Sequence, residues 1–131
     1  MNTATTQGVR ISVEITYRED LSEAERPAHF FNYTIHIKNL NNFPVQLKER
    51  SWKIFDAGMG VHFVNGQGVV GEQPILDANE SYIYTSGCEL FSDIGFMEGH
   101  YKFKAISPLT SETYFRVNIP RFELLVPCLK N

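Results

Sequence analysis

The chain lacks most of the features that announce a common chemistry. It has two cysteines, Cys88 and Cys128, far apart and in no CxxC pair. Neither a disulfide framework nor a cysteine-built zinc site is expected, and both thiols are read as reduced. No run of about 18 apolar residues occurs, which removes a membrane-spanning helix. Positive charge is not in excess: 12 Lys and Arg stand against 15 Asp and Glu, for a net charge of -3. Such a balance gives no general drive toward nucleic acid or anionic lipid. Met1 to Gly8 has no basic n-region and no apolar h-region. It reads as a loose leader (1–8) on one domain spanning 1–131, with the cytoplasm as the expected compartment. Helical signals are missing too. No window carries a sustained i, i+3, i+4, i+7 apolar stripe, and Leu21 to Arg26 is the one candidate helical turn.

What is present is apolar, aromatic and alternating. Hydrophobic residues make up 43% of the chain, with ten Phe and six Tyr, too many for a disordered segment. Val9, Ile11, Val13, Ile15 and Tyr17 alternate with polar residues, and so do Phe31, Tyr33, Ile35 and Ile37. Period two is the signature of a strand with one wet face. Similar stretches run over Phe43 to Asp56, Val61 to Val64, Tyr82 to Ser86, Tyr101 to Ile106 and Thr113 to Ile119, where Pro120 interrupts. Glu19 to Ala28 reads as a loop. Asn39 to Asn42, Ala57 to Gly60 and Asp77 to Glu80 carry turn chemistry. About seven to nine short strands with regular turns predict an all-β sandwich of two antiparallel sheets, of the immunoglobulin or fibronectin type III kind, with a closed barrel second.

One motif conflicts with that reading. Gly66-Gln67-Gly68-Val69-Val70-Gly71 spells GxGxxG, the phosphate-cradling turn of dinucleotide folds. That turn needs a following helix, and Glu72-Gln73-Pro74 does not open one. Two readings stand side by side. In one, glycines permit positive φ and close backbone approach in a strand-to-strand connection. In the other, the amides of Gly66, Gly68, Val69, Val70 and Gly71 form a nest for pyrophosphate or a nucleotide, with Gln73 as a side-chain donor. The missing helix dipole, the lack of Lys or Arg inside the motif and the neighbouring Glu72 favour the first.

Several motifs together resemble the ApaG domain family (DUF525). Gly66 to Pro74 is similar to its GxGVVGxQP, and Arg50 to Asp56 to its RxWxIxD strand. Tyr82 to Gly87 resembles YxYTSG, Gly95 to Tyr101 resembles GxMxGxY, and Ile119 to Phe122 with Val126-Pro127 resembles the closing segment. The likeness runs over roughly residues 9 to 127. Ala78-Asn79 departs from the family's Pro-Gly, but Asn79 also tolerates a left-handed turn position. The resemblance implies a fibronectin-III-like sandwich and a link to cobalt and magnesium efflux. Its eukaryotic fusions to F-box and polymerase-interacting proteins imply protein–protein contact.

Catalytic and metal signals are sparse. His29, His36, His62 and His100 show no ligand spacing, although His36 and His62 are open to meeting across neighbouring strands. Ser86 and Ser92 lack a GxSxG elbow, and no basic neighbour lowers the pKa of Cys88. No enzyme, cofactor or metal site is expected. Trp52 reads as a core ring, and Lys48, Arg50 and Lys53 as a solvated strand face. The adjacent pairs Phe30-Phe31 and Tyr114-Phe115, with Trp52 and Phe55 at odd spacing, each send one aromatic outward, which suggests a contact face. The expected role is a non-enzymatic interaction module with an unknown protein partner, tied only indirectly to cobalt and magnesium homeostasis. A homodimer through edge strands is a further expectation. The alternative is a regulator that binds pyrophosphate or a nucleotide at Gly66 to Gly71.

Overall fold

The computed structural model describes residues 2–22, 28–106 and 113–127. Among them nine strands follow in chain order: β1 (Asn2–Thr6), β2 (Val9–Tyr17), β3 (His29–Asn39), β4 (Val45–Asp56), β5 (Gly60–Gln67), β6 (Ile75–Leu76), β7 (Ser81–Leu90), β8 (Ile94–Ala105) and β9 (Thr113–Leu125). A 3-10 turn at Glu19–Leu21 is the only helical segment among these residues. The strands form two antiparallel sheets, in the orders β1-β2-β3-β7 and β5-β4-β8-β9, with β6 pairing the start of β4. This is the expected β-sandwich.

Alternation sets the register. Ile11 faces Ile37, Val13 faces Ile35 and Tyr17 faces Phe31 across β2 and β3. A shift by one residue would turn this whole row to water. The second sheet answers with Val45, Leu47, Trp52, Ile54, Met97, Tyr101, Phe103, Val117, Ile119, Phe122 and Leu124, all buried. Trp52 lies inward as expected. Its ring makes edge contacts with Tyr33 at 5.3 Å and Phe122 at 5.9 Å, the geometry that ring quadrupoles favour. The hydroxyls of Tyr84 and Tyr101 hydrogen-bond each other inside the core, which avoids the penalty for burying either one alone. Burial pushes both phenols well above their ordinary range.

Three expectations are corrected. Residues 2–6 of the supposed leader form β1, in register with β2 from Asn2↔Val13 to Thr6↔Val9. Gln7 and Gly8 stand at φ 51 and 77, the two positive dihedrals that a tight hairpin requires. β1 then reaches across to β9: the Asn2 Nδ2 donates to the Arg121 carbonyl at 2.7 Å, and the Asn118 N–H to the Thr6 Oγ1 at 3.3 Å. Pro120 does not end its strand. It sits where β9 slips against β8, between Met97↔Phe122 and Gly99↔Ile119, and a bulge on an outer strand asks for no proline N–H. Finally, β8 starts at Ile94 rather than Tyr101. Of the expected loop Glu19 to Ala28, residues 23–27 lie outside the described residues, as does Cys128.

These contacts leave the sandwich asymmetric. The β9 edge is covered by β1. The opposite edge of the same sheet, β5, has nothing beside it among the described residues.

Candidate functional site

The glycine motif divides between a strand and a hairpin turn. Gly66 and Gln67 are the last residues of β5 and pair with Arg50 and Glu49. Val69 and Glu72 then exchange N–H···O bonds of 2.8 and 2.9 Å. The two residues between them, Val70 and Gly71, have φ 44 and 79. That is a two-residue turn of type I′ sign. No helix follows; β6 does.

The loop is clamped to β4. At the bulge between Leu47 and Glu49, the Lys48 carbonyl accepts the Gly68 N–H at 2.8 Å and the Gln73 Nε2 at 2.9 Å. The Pro74 carbonyl accepts the Leu47 N–H at 3.1 Å, and the Gln73 carbonyl accepts the Gln46 Nε2 at 3.1 Å. The Arg50 Nη1 donates to the Gln67 and Gly68 carbonyls at 3.0 and 2.8 Å. Glycine is needed for this closeness at Gly68, where a Cβ would lie 2.1 Å from the Glu72 carbonyl oxygen; at Gly66 a Cβ would lie 2.8 Å from the Arg50 guanidinium, which would have to move. Of the residues expected to cradle an anion, Gly68, Val69 and Gln73 spend their donors inside the protein. Only the Val70 and Gly71 amides, at the exposed tip, make no hydrogen bond among the described residues.

The chain just before this loop carries the exposed apolar surface. Most strands hide alternate residues; β5 hides none. Phe63 is 68% exposed, Val61 48% and Val64 38%, with Met59 at the preceding turn and Val70 at the following one also bare. β5 holds no Lys, Arg, Asp, Glu or Pro. Natural edge strands are usually blunted by such residues, by bulges or by a cover. β9 on the far side has its proline, its bulge and β1. The sequence reading placed a short strand over Val61 to Val64, within β5, but not its bareness on both faces, because exposure of every residue leaves no period-two alternation to read.

The outward face of the five-stranded sheet is built in cross-strand rows. Val61, Phe55 and Phe96 line up, then Phe63, Lys53 and Glu98, then Asn65, Ser51, His100 and Asn118, then Gln67, Glu49, Lys102 and Arg116. The Phe55 and Phe96 rings stack at 5.1 Å, and the Arg121 guanidinium lies 3.9 Å from the Phe96 centroid. Phe55 and Tyr114 are the outward members of their pairs, as expected. Over small Ser51 a groove of ≈ 490 Å³ runs across the four strands, between Phe63 at one end and Asn118 and Arg116 at the other. Burial, with the nearby Arg116 charge, lowers the His100 pKa, so that the imidazole is neutral near pH 7.

The remaining candidates scatter. His36 lies on the other sheet and bonds Glu14 at 2.7 Å, and His62 is on β5, so their expected meeting does not occur. His29 contacts the Tyr17 hydroxyl. Burial, aided by Asp56 and Glu89, pushes the Cys88 thiol up to about 11, a poor nucleophile. Among the described residues no group of three or more His, Cys, Asp or Glu is placed to hold a metal ion. No described helix is long and apolar enough to cross a membrane.

Known proteins with this sequence and shape are consistent with one another. A family model described as the ApaG domain, DUF525, matches residues 19–105. Protein ApaG of Brucella anthropi is 42% identical over 127 residues, which covers 97% of this chain and 95% of that one. The crystal structure of the putative ApaA protein from Bordetella pertussis superposes with a TM-score of 0.84 at 36% identity, over 91% of this chain and 94% of the other. An X-ray structure of a further structural-genomics target gives 0.82, also at 36% identity, over 94% and 90%.

Proposed function

Because the chain belongs to the ApaG domain family, whose model spans β3 to β8, we propose that it is a protein-interaction module without chemistry of its own, and that β5 is where it meets its partner. An extended segment of another protein adds beside β5 as a further strand, with main-chain hydrogen bonds giving affinity and flanking side chains giving specificity. The observation that carries this reading is the bare, uncharged and uncovered β5 edge. The charge-free strip from Gly60 to Gln67 calls for an apolar, uncharged β-forming segment, since a charge set against Val61 and Phe63 would be desolvated without a partner. Val70 stands at the end of the same edge. In this reading the family's association with cobalt and magnesium acts through the bound protein.

A photo-crosslinking residue at position 63, compared with one at Ile83 on the other sheet, tests it in cells that express the chain. A discrete adduct at 63 that disappears when Val61→Lys is added supports strand addition. Equal labelling at both sites contradicts it, and an adduct containing only this chain reassigns the edge to a homodimer. The pyrophosphate reading of Gly66 to Gly71 has the lesser support, two bare tip amides beside Glu72.

A further inference from the structure

The groove on the outward face is separate from the β5 backbone edge, and its chemistry is of another kind. Three charged residues line it: Lys53, Glu98 and Arg116. Glu98 is neutralised from two sides, by the Arg121 Nε at 2.8 Å and the Lys53 Nζ at 3.7 Å. The Arg116 side chain has no hydrogen bond or ion pair among the described residues. Its guanidinium stays charged, is weakly hydrated and presents a fork that matches carboxylate or phosphate oxygens. Beside it stand Asn118 and His100, and the row continues through Ser51 to Asn65. These are uncharged donors and acceptors. The exposed Phe63 ring closes the far end.

We propose that this groove binds a small organic oxyanion whose carboxylate or phosphate head pairs with Arg116 beside Asn118 and His100. Its body crosses the Asn65–Ser51–His100–Asn118 row and lays an apolar ring against Phe63. Four neighbouring strands spaced about 4.8 Å apart separate the two ends by roughly 14 Å across the sheet. Phe63 and Arg116 also lie two rows apart along it, so their Cα atoms are about 19 Å apart, and the ligand fills the diagonal that the two long side chains leave between them. The head group brings a charge that offsets the Arg116 field at His100. The other charges around His100 are Glu98 and Lys102 on its own strand, Glu49 and Lys53 on β4, and Arg116 on β9. With the anion bound, the net effect on the imidazole is a rise in pKa from its lowered value.

The test is titration of the full chain, labelled with nitrogen-15, by acetate, by inorganic phosphate and by adenosine monophosphate as a probe long enough to span the groove. The expected result is saturable movement of the Arg116 Nε–H and of the Asn118 side-chain amide, with a raised His100 pKa at saturation. Comparison of acetate with phosphate identifies the head group. Adenosine monophosphate should bind more tightly than phosphate, and Phe63→Ala should erase that advantage. Arg116→Ala, an exposed change that leaves the core spectrum intact, should weaken binding about tenfold or more. Failure of all three probes to move Arg116 in the millimolar range overturns the proposal, and so does movement centred on Val70 and Gly71 that survives Arg116→Ala. Neither result bears on strand addition at β5, which is read from that strand's open backbone edge and tested by crosslinking; Phe63 is the one side chain common to the two readings.

Discussion

Replacing Gly68 with alanine should be far more damaging than replacing Gly71, although both stand at positive φ, 61 and 79. The left-handed conformation alone costs a non-glycine residue about 1–2 kcal/mol. At Gly71 that is the whole penalty, because nothing lies within 4 Å of an added Cβ. At Gly68 the Cβ would sit 2.1 Å from the Glu72 carbonyl oxygen, a backbone atom. That oxygen also holds the Val69 N–H at 2.8 Å, while the Gly68 N–H is bound to Lys48. Relieving the clash means giving up one or both of these bonds, at about 1 kcal/mol each. The sum is about 3 kcal/mol for Gly68→Ala against about 1 for Gly71→Ala. For a domain of this size each kcal/mol moves Tm by roughly 4 °C. Thermal unfolding followed by circular dichroism should therefore show losses near 12 °C and 4 °C. Equal losses would refute the reasoning, since they would mean that the loop does not lean on β4.

Two further substitutions have defined outcomes. Asp56 is buried at the end of β4 and accepts hydrogen bonds from the Gly58 N–H at 2.9 Å, the Phe91 N–H at 2.6 Å and the Ser92 hydroxyl at 2.6 Å. Burial alone would raise its pKa, but these bonds outweigh it and hold the carboxyl below the ordinary range. Its contribution is thus present above the unfolded value of about 4 and lost as pH falls through the lower folded value. Asp56→Asn should remove about 2–4 kcal/mol at neutral pH and flatten the acid limb of a urea-unfolding series; an unchanged acid limb would show that another carboxylate governs it. Val70, a β-branched residue at φ 44, is strained. Val70→Asn makes the favoured Asn-Gly turn and should raise stability by about 1 kcal/mol, while weakening capture by the partner if Val70 is part of the contact; urea unfolding and the crosslinking yield read the two effects separately.

The legible parts of this fold were those where one face is wet and the other dry. Val9 to Tyr17 and Phe31 to Ile37 declared themselves by alternation, and Trp52 by its place in such a pattern. Asn79 declared its turn, and it stands at φ 65. The parts that stayed hidden depend on partners distant in the chain. β1 is polar because it lies at the sheet's rim, and only its pairing with β2 and its reach to β9 make it a strand. Pro120 reads as a stop until Glu98 on β8 is seen to face a bulge. The glycine motif spells a nucleotide turn, but the Gly68 amide and the Gln73 side chain are spent on the Lys48 carbonyl, some twenty residues earlier. β5 and the groove were least visible. Phe63, His100 and Arg116 come from three strands, and no local spacing unites them.

The account's central claim is that β5 receives an added strand. The segment recovered in the position-63 adduct, made as a synthetic peptide, should be added to the labelled chain and amide hydrogen exchange followed along Gly60–Gln67. An antiparallel or parallel added strand bonds only the outward-pointing amides, so every second residue of β5 should gain protection while its neighbours, already paired with β4, change little. Protection appearing on β7 or the glycine turn instead, with β5 unaltered, would contradict the account.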